Sequence, residues 1–119
     1  MVNKQRRYFF YVLYCKDNTL YGGYTVNLAN RLKAHNTGQG AKYTRVSKRQ
    51  PVRMIYAESF STKSEAMSAE AKFKLLTRQQ KEAYLRENGQ TDIKSKQLIL
   101  VNRVKRQKKG NLNAETNEL

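Results

Sequence analysis

Residues 20–25, Leu-Tyr-Gly-Gly-Tyr-Thr, place two adjacent glycines in a stretch that otherwise has the composition of a β-strand. A glycine inside a strand costs about 0.5–1 kcal/mol relative to alanine, so we expect something to approach this backbone closely. Residues 9–15 are aromatic and β-branched, and residues 16–19 supply turn-forming side chains between the two stretches. These features predict a β-hairpin with Gly22 and Gly23 in its second strand.

Tyr11 falls in the first predicted strand and Tyr21 in the second. Because side chains alternate between the two faces of a sheet, the register of the hairpin decides whether both phenols lie on one face. The sequence leaves either register open.

A helix is predicted directly after the hairpin. Thr25 or Asn27 can cap its first turn. The spacing of one helical face is met by Leu28, Arg31, Leu32 and His35. A guanidinium and an imidazole should therefore flank an apolar stripe. Farther along, the alternating apolar residues of 52–59 predict a third strand beside the hairpin.

Two more helices are predicted downstream, over about 62–76 and 77–88. The first begins with a capping box at Thr62, and the second ends before Gly89. Glu70 falls in the apolar sector of the first helix, so its carboxylate would be partly desolvated unless a cation lies near it. We expect one α+β domain over residues 1–88, followed by a basic to polar tail over 89–119 that is partly disordered.

The charge of the chain narrows its partners. Lys and Arg outnumber Asp and Glu by 24 to 9, which gives a formal net charge of +15, so nucleic acid is the expected partner. No apolar run approaches the ~20 residues of a membrane span, and a membrane partner is not expected. The single cysteine, Cys15, is typical of a reducing compartment, and one Cys with one His is too little for a zinc site. We expect a cytoplasmic protein, and the sequence indicates no obligate protein partner.

Residues 36–49 form a basic loop with two glycines and no acidic residue. Its positive potential is suited to phosphate contacts that position a nucleic acid without reading its base sequence. Simple solubility of the loop is the alternative. The basic residues are Lys42, Arg45, Lys48 and Arg49.

The predicted elements carry phenols, a guanidinium, an imidazole and a carboxylate, a set suited to phosphodiester cleavage. A cation held by one carboxylate can polarise a phosphate oxygen, an arginine can offset charge in the transition state, and a phenol or imidazole can take a proton from water. Each residue also has a structural alternative, since tyrosines commonly pack in small sheets. Glu70 could simply pair with Lys74 one turn on, which is worth about 0.2–0.5 kcal/mol on an exposed helix.

The order of these residues resembles the GIY-YIG nuclease superfamily over residues 8 to about 88. The matching positions are Tyr11, Tyr21-Gly22-Gly23, Asn27-Leu28-x-x-Arg31-Leu32-x-x-His35 and Glu65-Ala66-x-x-x-Glu70. The loop of residues 38–44, Gly-Gln-Gly-Ala-Lys-Tyr-Thr, resembles the short stand-alone bacterial members. The two name motifs depart from the family pattern, because residues 9–11 read Phe-Phe-Tyr and residues 21–23 read Tyr-Gly-Gly.

The resemblance implies an α+β domain with a three-stranded antiparallel sheet flanked by helices and a single-metal nuclease site on the sheet surface. The implied catalytic residues are Tyr11, Tyr21, Arg31, His35 and Glu70. Glu70 is also the implied ligand of one Mg²⁺ or Mn²⁺ ion, and the base role is shared among Tyr11, Tyr21 and His35. Substrate contacts are expected from Gly23, Lys42, Tyr43, Arg45, Lys48 and Arg49.

The expected activity is that of a metal-dependent endonuclease that hydrolyses phosphodiester bonds in DNA, with structure-selective cleavage in DNA repair or processing. Gly23 is expected to leave its backbone bare for the scissile phosphate and the metal. The alternative is a module that binds RNA or DNA and keeps the fold without efficient cleavage.

Overall fold

The computed structural model of the chain describes residues 6–104. Its strands are β1 (Tyr8–Cys15), β2 (Leu20–Thr25), β3 (Val52–Phe60) and β4 (Ile99–Asn102). They form one sheet with the order β2-β1-β3-β4. β1 pairs antiparallel with β2 and β3, whereas β4 pairs parallel with β3. The sheet is therefore mixed, with β2 and β4 at its edges.

Three helices accompany the sheet, as predicted: α1 (Leu28–Asn36), α2 (Lys63–Lys74) and α3 (Arg78–Glu87). Asn27, and not Thr25, caps α1, because its side chain accepts from the backbone N–H of Asn30 at 3.0 Å. Thr62 and Thr77 cap α2 and α3. None of the helices within 6–104 is both long enough and apolar enough to cross a membrane.

The predicted α+β class is confirmed, but the sheet has four strands where we predicted three. The additional strand, β4, comes from the segment that we assigned to the tail, and it carries the sheet beyond residue 88. Its four residues pair with β3, a strand about forty positions earlier in the chain, so no local pattern announces the pairing. The rest of the predicted tail, residues 105–119, lies outside the described residues.

The hairpin register places both phenols on the same face of the sheet. Tyr11 pairs with Gly23, and Leu13 pairs with Tyr21. Since alternate residues of a strand share a face, all of these positions point the same way. The turn that sets this register contains Asn18 in the left-handed region, with φ at 70°.

Each face of the sheet has its own apolar core. On one face, which we call the α2–α3 face, strand residues pack with Phe73 of α2 and Leu85 of α3. On the other, which we call the α1 face, the buried residues are Tyr11, Leu13, Cys15, Val52, Met54 and Ala57. Leu28 and Leu32 of α1 pack against this second core. The predicted apolar stripe of α1 thus brings Arg31 and His35 onto the side of the sheet where Tyr11 lies.

Candidate functional site

A buried cluster of polar side chains forms where α1 crosses the α1 face. Tyr11 and His35 are both 0% exposed. The hydroxyl of Tyr11 lies 2.6 Å from Nε2 of His35, and Nε of Arg31 donates to the same hydroxyl at 3.3 Å. The tertiary structure therefore joins three of the predicted catalytic residues in direct hydrogen bonds.

Burial keeps this cluster uncharged apart from Arg31. Desolvation raises the pKa of Tyr11 to about 12, although the hydrogen bond and positive charge of Arg31 oppose the shift, while nearby Tyr21 and Glu70 add to it. Desolvation, and then the charge of Arg31, lower the pKa of His35 to about 4. The phenol and the imidazole are consequently both neutral near pH 7.

Gly23 is a glycine because Tyr11 lies against it. A Cβ atom at Gly23 would sit 2.3 Å from the hydroxyl oxygen of Tyr11 and 2.4 Å from Cζ. The structure thus gives a different reason for this glycine from the predicted one, since the phenol of the paired residue fills the space beside it, and contact of Gly23 with a phosphate stays a prediction. Gly22 points to the opposite face, where its Cβ would meet Phe73 at 3.0 Å.

Tyr21 is the partly exposed phenol of the site. Its ring lies 5.5 Å from the ring of His35 and stacks on Tyr43 at a centroid distance of 5.6 Å. Within residues 6–104 the structure records no hydrogen bond from its hydroxyl to another protein group. Solvent can therefore reach Tyr21, whereas Tyr11 and His35 are fully buried.

Glu70 and Lys74 of α2 lie beside Tyr21. Oε2 of Glu70 is 2.8 Å from Nζ of Lys74, which in turn lies 5.2 Å from the ring centroid of Tyr21. The side chain of Glu70 is only 18% exposed, so Lys74 is the cation that its desolvated carboxylate was expected to need. The sequence suggested Lys74 only as a structural partner of Glu70, and its contact with Tyr21 was missed.

The residues at this site can hold one divalent cation through a single carboxylate. No group of three or more Asp, Glu, His or Cys side chains comes together anywhere in the described part of the chain. Mg²⁺ is commonly held by one or two carboxylates together with waters and substrate phosphates, so Glu70 fits an ion that completes its ligand shell with substrate. Because Lys74 already neutralises Glu70, binding of the ion without nucleic acid should be weak.

The basic loop divides into residues that hold the structure together and residues that remain exposed. Arg49 forms an ion pair with Asp17 at 3.0 Å, donates to the carbonyl of Tyr43 at 3.1 Å, and lies 3.8 Å above the ring of Tyr43. Its assignment to phosphate contact stays a prediction, and it would require the guanidinium to leave contacts that bind it on several sides. The exposed basic residues of the loop are Lys42, Arg45 and Lys48.

Two residues of the loop that the sequence did not single out contact His35. Nδ1 of His35 lies 2.6 Å from Oγ1 of Thr44, which is itself fully buried. Gly40 packs so closely that a Cβ there would lie 2.4 Å from Nδ1. Both residues belong to the loop motif over 38–44, which was the one available signal.

Comparison with known proteins gives a match to the part of the chain that carries the site residues. A family model described as the GIY-YIG catalytic domain matches residues 7–83. The chain belongs to the GIY-YIG family. The GIY-YIG match spans every predicted catalytic residue, from Tyr11 to Glu70, and ends before β4.

Short bacterial GIY-YIG proteins are similar to this chain over most of their length. A UPF0213 protein of Enterococcus faecalis is 59% identical over 86 residues, which is 72% of this chain and 97% of the relative. UPF0213 protein YazA of Bacillus subtilis is 61% identical over 80 residues, which is 67% of this chain and 79% of the relative. A solution NMR structure of a protein from E. faecalis has 59% sequence identity, covers 73% of this chain and 90% of that chain, and gives a TM-score of 0.49. The predicted resemblance to short bacterial members of a nuclease superfamily is confirmed.

Proposed function

We propose that this GIY-YIG protein is a metal-dependent endonuclease that hydrolyses phosphodiester bonds in DNA. The observation that supports it is a convergence of side chains from four elements: Tyr11 of β1, Tyr21 of β2, Arg31 of α1 and Glu70 of α2. Arg31 bonds to Tyr11, and Lys74 links Glu70 to Tyr21. Together they supply an anion-binding guanidinium, an accessible phenol and a carboxylate.

Arg31 is the group that meets the phosphate. Its Nε is held by Tyr11, and within residues 6–104 no hydrogen bond is recorded at either of its terminal nitrogens. A guanidinium can present these two nitrogens together to the oxygens of a phosphate. Fixed in this way, Arg31 stabilises the negative charge that builds on the phosphate in the transition state.

Tyr21, after losing its own proton to solvent, takes the proton of the attacking water as a phenolate. It is the accessible member of the three candidates for the base, because both ring nitrogens of His35 and the hydroxyl of Tyr11 are bonded inside the protein. The ammonium of Lys74, 5.2 Å from the ring, stabilises negative charge on the phenol. Tyr11 and His35 then act on the reaction through Arg31 and not by contact with substrate.

Glu70 would hold the divalent ion, Mg²⁺ or Mn²⁺, which would supply polarisation of a phosphate oxygen. Because Lys74 already pairs with this carboxylate at 2.8 Å, an ion at Glu70 would compete with the ammonium of Lys74. Binding of metal and nucleic acid should therefore be coupled.

Exposed cations of the loop bind the DNA backbone. Lys42, Arg45 and Lys48 carry no recorded ion pair within 6–104, and the whole chain has a net charge of +15. Such contacts position the duplex or strand without reading bases. Selection by DNA structure, in repair or processing, is the setting that we propose on this basis.

Glu70→Gln tests the proposed function, with Glu82→Gln as its matched control. Both carboxylates form an ion pair one helical turn away, at 2.8 Å to Lys74 and 2.7 Å to Arg78, so each variant loses one such pair. We expect wild-type protein to nick supercoiled plasmid or cut single-stranded oligonucleotides with Mg²⁺ or Mn²⁺ and not with chelator. Glu70→Gln should slow cleavage by at least about 100-fold, whereas Glu82→Gln should not.

The same assay separates cleavage from binding. If the wild-type protein binds these DNA probes but cuts none of them with either metal, the endonuclease proposal fails. The non-catalytic alternative, a module that binds RNA or DNA, would then replace it.

A further inference from the structure

A continuous chain of hydrogen bonds runs from the basic loop to the phosphate-binding arginine. It passes from the carbonyl of Ala41 through Thr44, His35 and Tyr11 to Arg31. Thr44, His35 and Tyr11 are each 0% exposed, so water does not supply alternative partners. The directions of these hydrogen bonds therefore depend on which groups of the chain can only donate or only accept.

At the loop end, a carbonyl offers an acceptor to the hydroxyl of Thr44. The carbonyl oxygen of Ala41 lies 3.1 Å from Oγ1 of Thr44 and also accepts from the backbone N–H groups of Thr44 and Arg45, so the hydroxyl can donate its one proton there. The oxygen of Thr44 is then the acceptor in its 2.6 Å contact with Nδ1 of His35. With Thr44 in this orientation, Nδ1 is the donor and carries a proton.

At the other end, the direction is set by the guanidinium. Nε of Arg31 can only donate, so the oxygen of Tyr11 accepts from it. The single phenol proton of Tyr11 is then donated to Nε2 of His35 across 2.6 Å. The Arg31 end of the chain therefore requires a neutral imidazole, protonated at Nδ1 and bare at Nε2, and the orientation of Thr44 toward Ala41 matches it.

The opposite tautomer breaks this arrangement. A proton on Nε2 would be donated to the oxygen of Tyr11, and the phenol proton of Tyr11 would lose its acceptor in a fully buried site. Thr44 would have to turn its proton from Ala41 to Nδ1. The neutral state itself is secured by burial, since the pKa of His35 is lowered to about 4.

We propose that Thr44 is a positioning residue of the phosphodiester site: its hydroxyl selects the tautomer of His35, and through Tyr11 this orients Arg31 toward the phosphate. The role of Arg31 in this inference rests on the proposed function, whereas the tautomer does not. Gly40 assists because its missing side chain lets the loop close over the imidazole.

The chain contains a single histidine, which makes the tautomer directly measurable. In protein labelled with ¹⁵N-histidine, a long-range proton–nitrogen NMR spectrum at pH 7 should show one neutral imidazole protonated at Nδ1. Thr44→Val, which keeps the shape and removes the hydroxyl, should convert this to a mixture of tautomers or to the Nε2-protonated form. Thr44→Ser should restore the wild-type pattern, and Thr37→Val, which removes a hydroxyl bonded to the carbonyl of Lys33 at the end of α1, should not alter it.

A second readout follows Arg31 without depending on cleavage. The exchange rate of its Nε proton, assigned by comparison with Arg31→Lys, should rise about tenfold in Thr44→Val and stay near wild type in Thr44→Ser. Plasmid nicking should slow by about the same factor in Thr44→Val only. Circular dichroism checks that each variant is folded.

The outcomes separate the inference from the proposed function. An Nε2-protonated imidazole in the wild type, or an unchanged tautomer in folded Thr44→Val, would overturn the inference. A changed tautomer with unchanged exchange at Arg31 would also overturn it, because the relay to Arg31 would be absent. If the tautomer and the exchange both respond but the wild type cuts no DNA, the positioning of Arg31 stands and the endonuclease proposal fails. Should Thr44→Val not fold, the wild-type tautomer and Thr44→Ser still decide the assignment.

Discussion

Individual residues of the site are defined more by their contacts than by their type. The two adjacent glycines, Gly22 and Gly23, look equivalent in the sequence, yet they face opposite cores. Gly23 makes room for the phenol of Tyr11, while Gly22 makes room for Phe73. The first serves the site, and the second serves the packing of α2.

Gly23→Ala and Gly22→Ala should consequently have different effects on stability and on DNA cleavage. The new methyl group at Gly23 would overlap Tyr11, displace it from His35, and lower the free energy of unfolding by about 1–3 kcal/mol. At Gly22 the ring of Phe73 needs to move by only a few tenths of an ångström. Urea denaturation and plasmid nicking measure the two effects. We expect nicking to fall much further in Gly23→Ala, and equal activity losses in the two variants would contradict the assignment of Gly23 to the site.

The buried imidazole predicts a dependence of stability on acid. His35 has a pKa of about 4 in the folded protein against 6.5 as a free side chain, so in this interval the unfolded chain binds a proton that the folded chain does not. The stability that the neutral imidazole gives to the folded protein is therefore fully present above about pH 6.5 and is lost as the pH falls toward 4. Between pH 7 and 5 the free energy of unfolding should drop by about 2 kcal/mol from this group.

Urea denaturation at the two pH values measures that drop, and His35→Gln provides the reference. The variant lacks the titrating group, so its stability should change less over the same interval. A wild type whose stability is equally insensitive would show that the imidazole is not buried in a neutral state.

At the level of elements, β4 does more than extend the sheet. Directly after it, Arg103 approaches the carboxylate of Glu58 at 3.4 Å and also donates to Asn88 at 2.6 Å. Glu58 is 1% exposed and accepts hydrogen bonds from Tyr56 and Tyr84 as well. Burial, followed by the hydrogen bond and charge of Glu58, raises the pKa of both phenols, so they remain donors at neutral pH. The end of β4 thus supplies the cation for a carboxylate buried in β3.

Arg103→Met should test this connection, with Arg86→Met on the exposed surface of α3 as the control. The first variant leaves a buried carboxylate without its cation, and we expect the free energy of unfolding to fall by about 1–3 kcal/mol. The control should change by less than about 0.5 kcal/mol. Chemical denaturation monitored by circular dichroism measures the free energy of unfolding of each variant. Similar values for the two variants would mean that Arg103 has no structural role.

On the scale of the whole molecule, the excess of positive charge is distributed between structural and exposed groups. The net charge of +15 attracts nucleic acid at long range, but only exposed cations can approach phosphates closely. Lys42 is exposed, whereas Arg49, seven residues later in the same loop, is bound to Asp17 and Tyr43. Net charge alone does not distinguish the two.

Salt dependence should distinguish them. Removing a phosphate contact lowers the slope of log affinity against log salt by about one, so Lys42→Gln should show this change. Arg49→Gln should leave the slope near the wild-type value and lower the stability instead. Fluorescence anisotropy with a labelled oligonucleotide over a range of salt concentrations gives both slopes, and a reduced slope in Arg49→Gln would mean that its ion pair opens to bind DNA.

The hairpin, the three helices, their caps and the family could be predicted from the sequence because each depends on short-range features. Alternation over a strand, a capping Thr and the spacing of Arg31 and His35 along α1 are set by neighbours a few residues apart. The same spacing placed Arg31 and His35 on the side of the helix that meets the sheet. The order of Tyr11, Tyr21, Arg31 and Glu70 then matched a known family.

Long-range competition between partners settled the remaining features. Three features depend on residues far apart in the chain. They are the atom that fills the space beside Gly23, the choice of Arg49 between Asp17 and a phosphate, and the strand that pairs with β4. Thr44 contacts His35 only because the loop folds back over the imidazole. A buried polar group takes whichever partner the packed chain brings within reach, and that choice has no local signature.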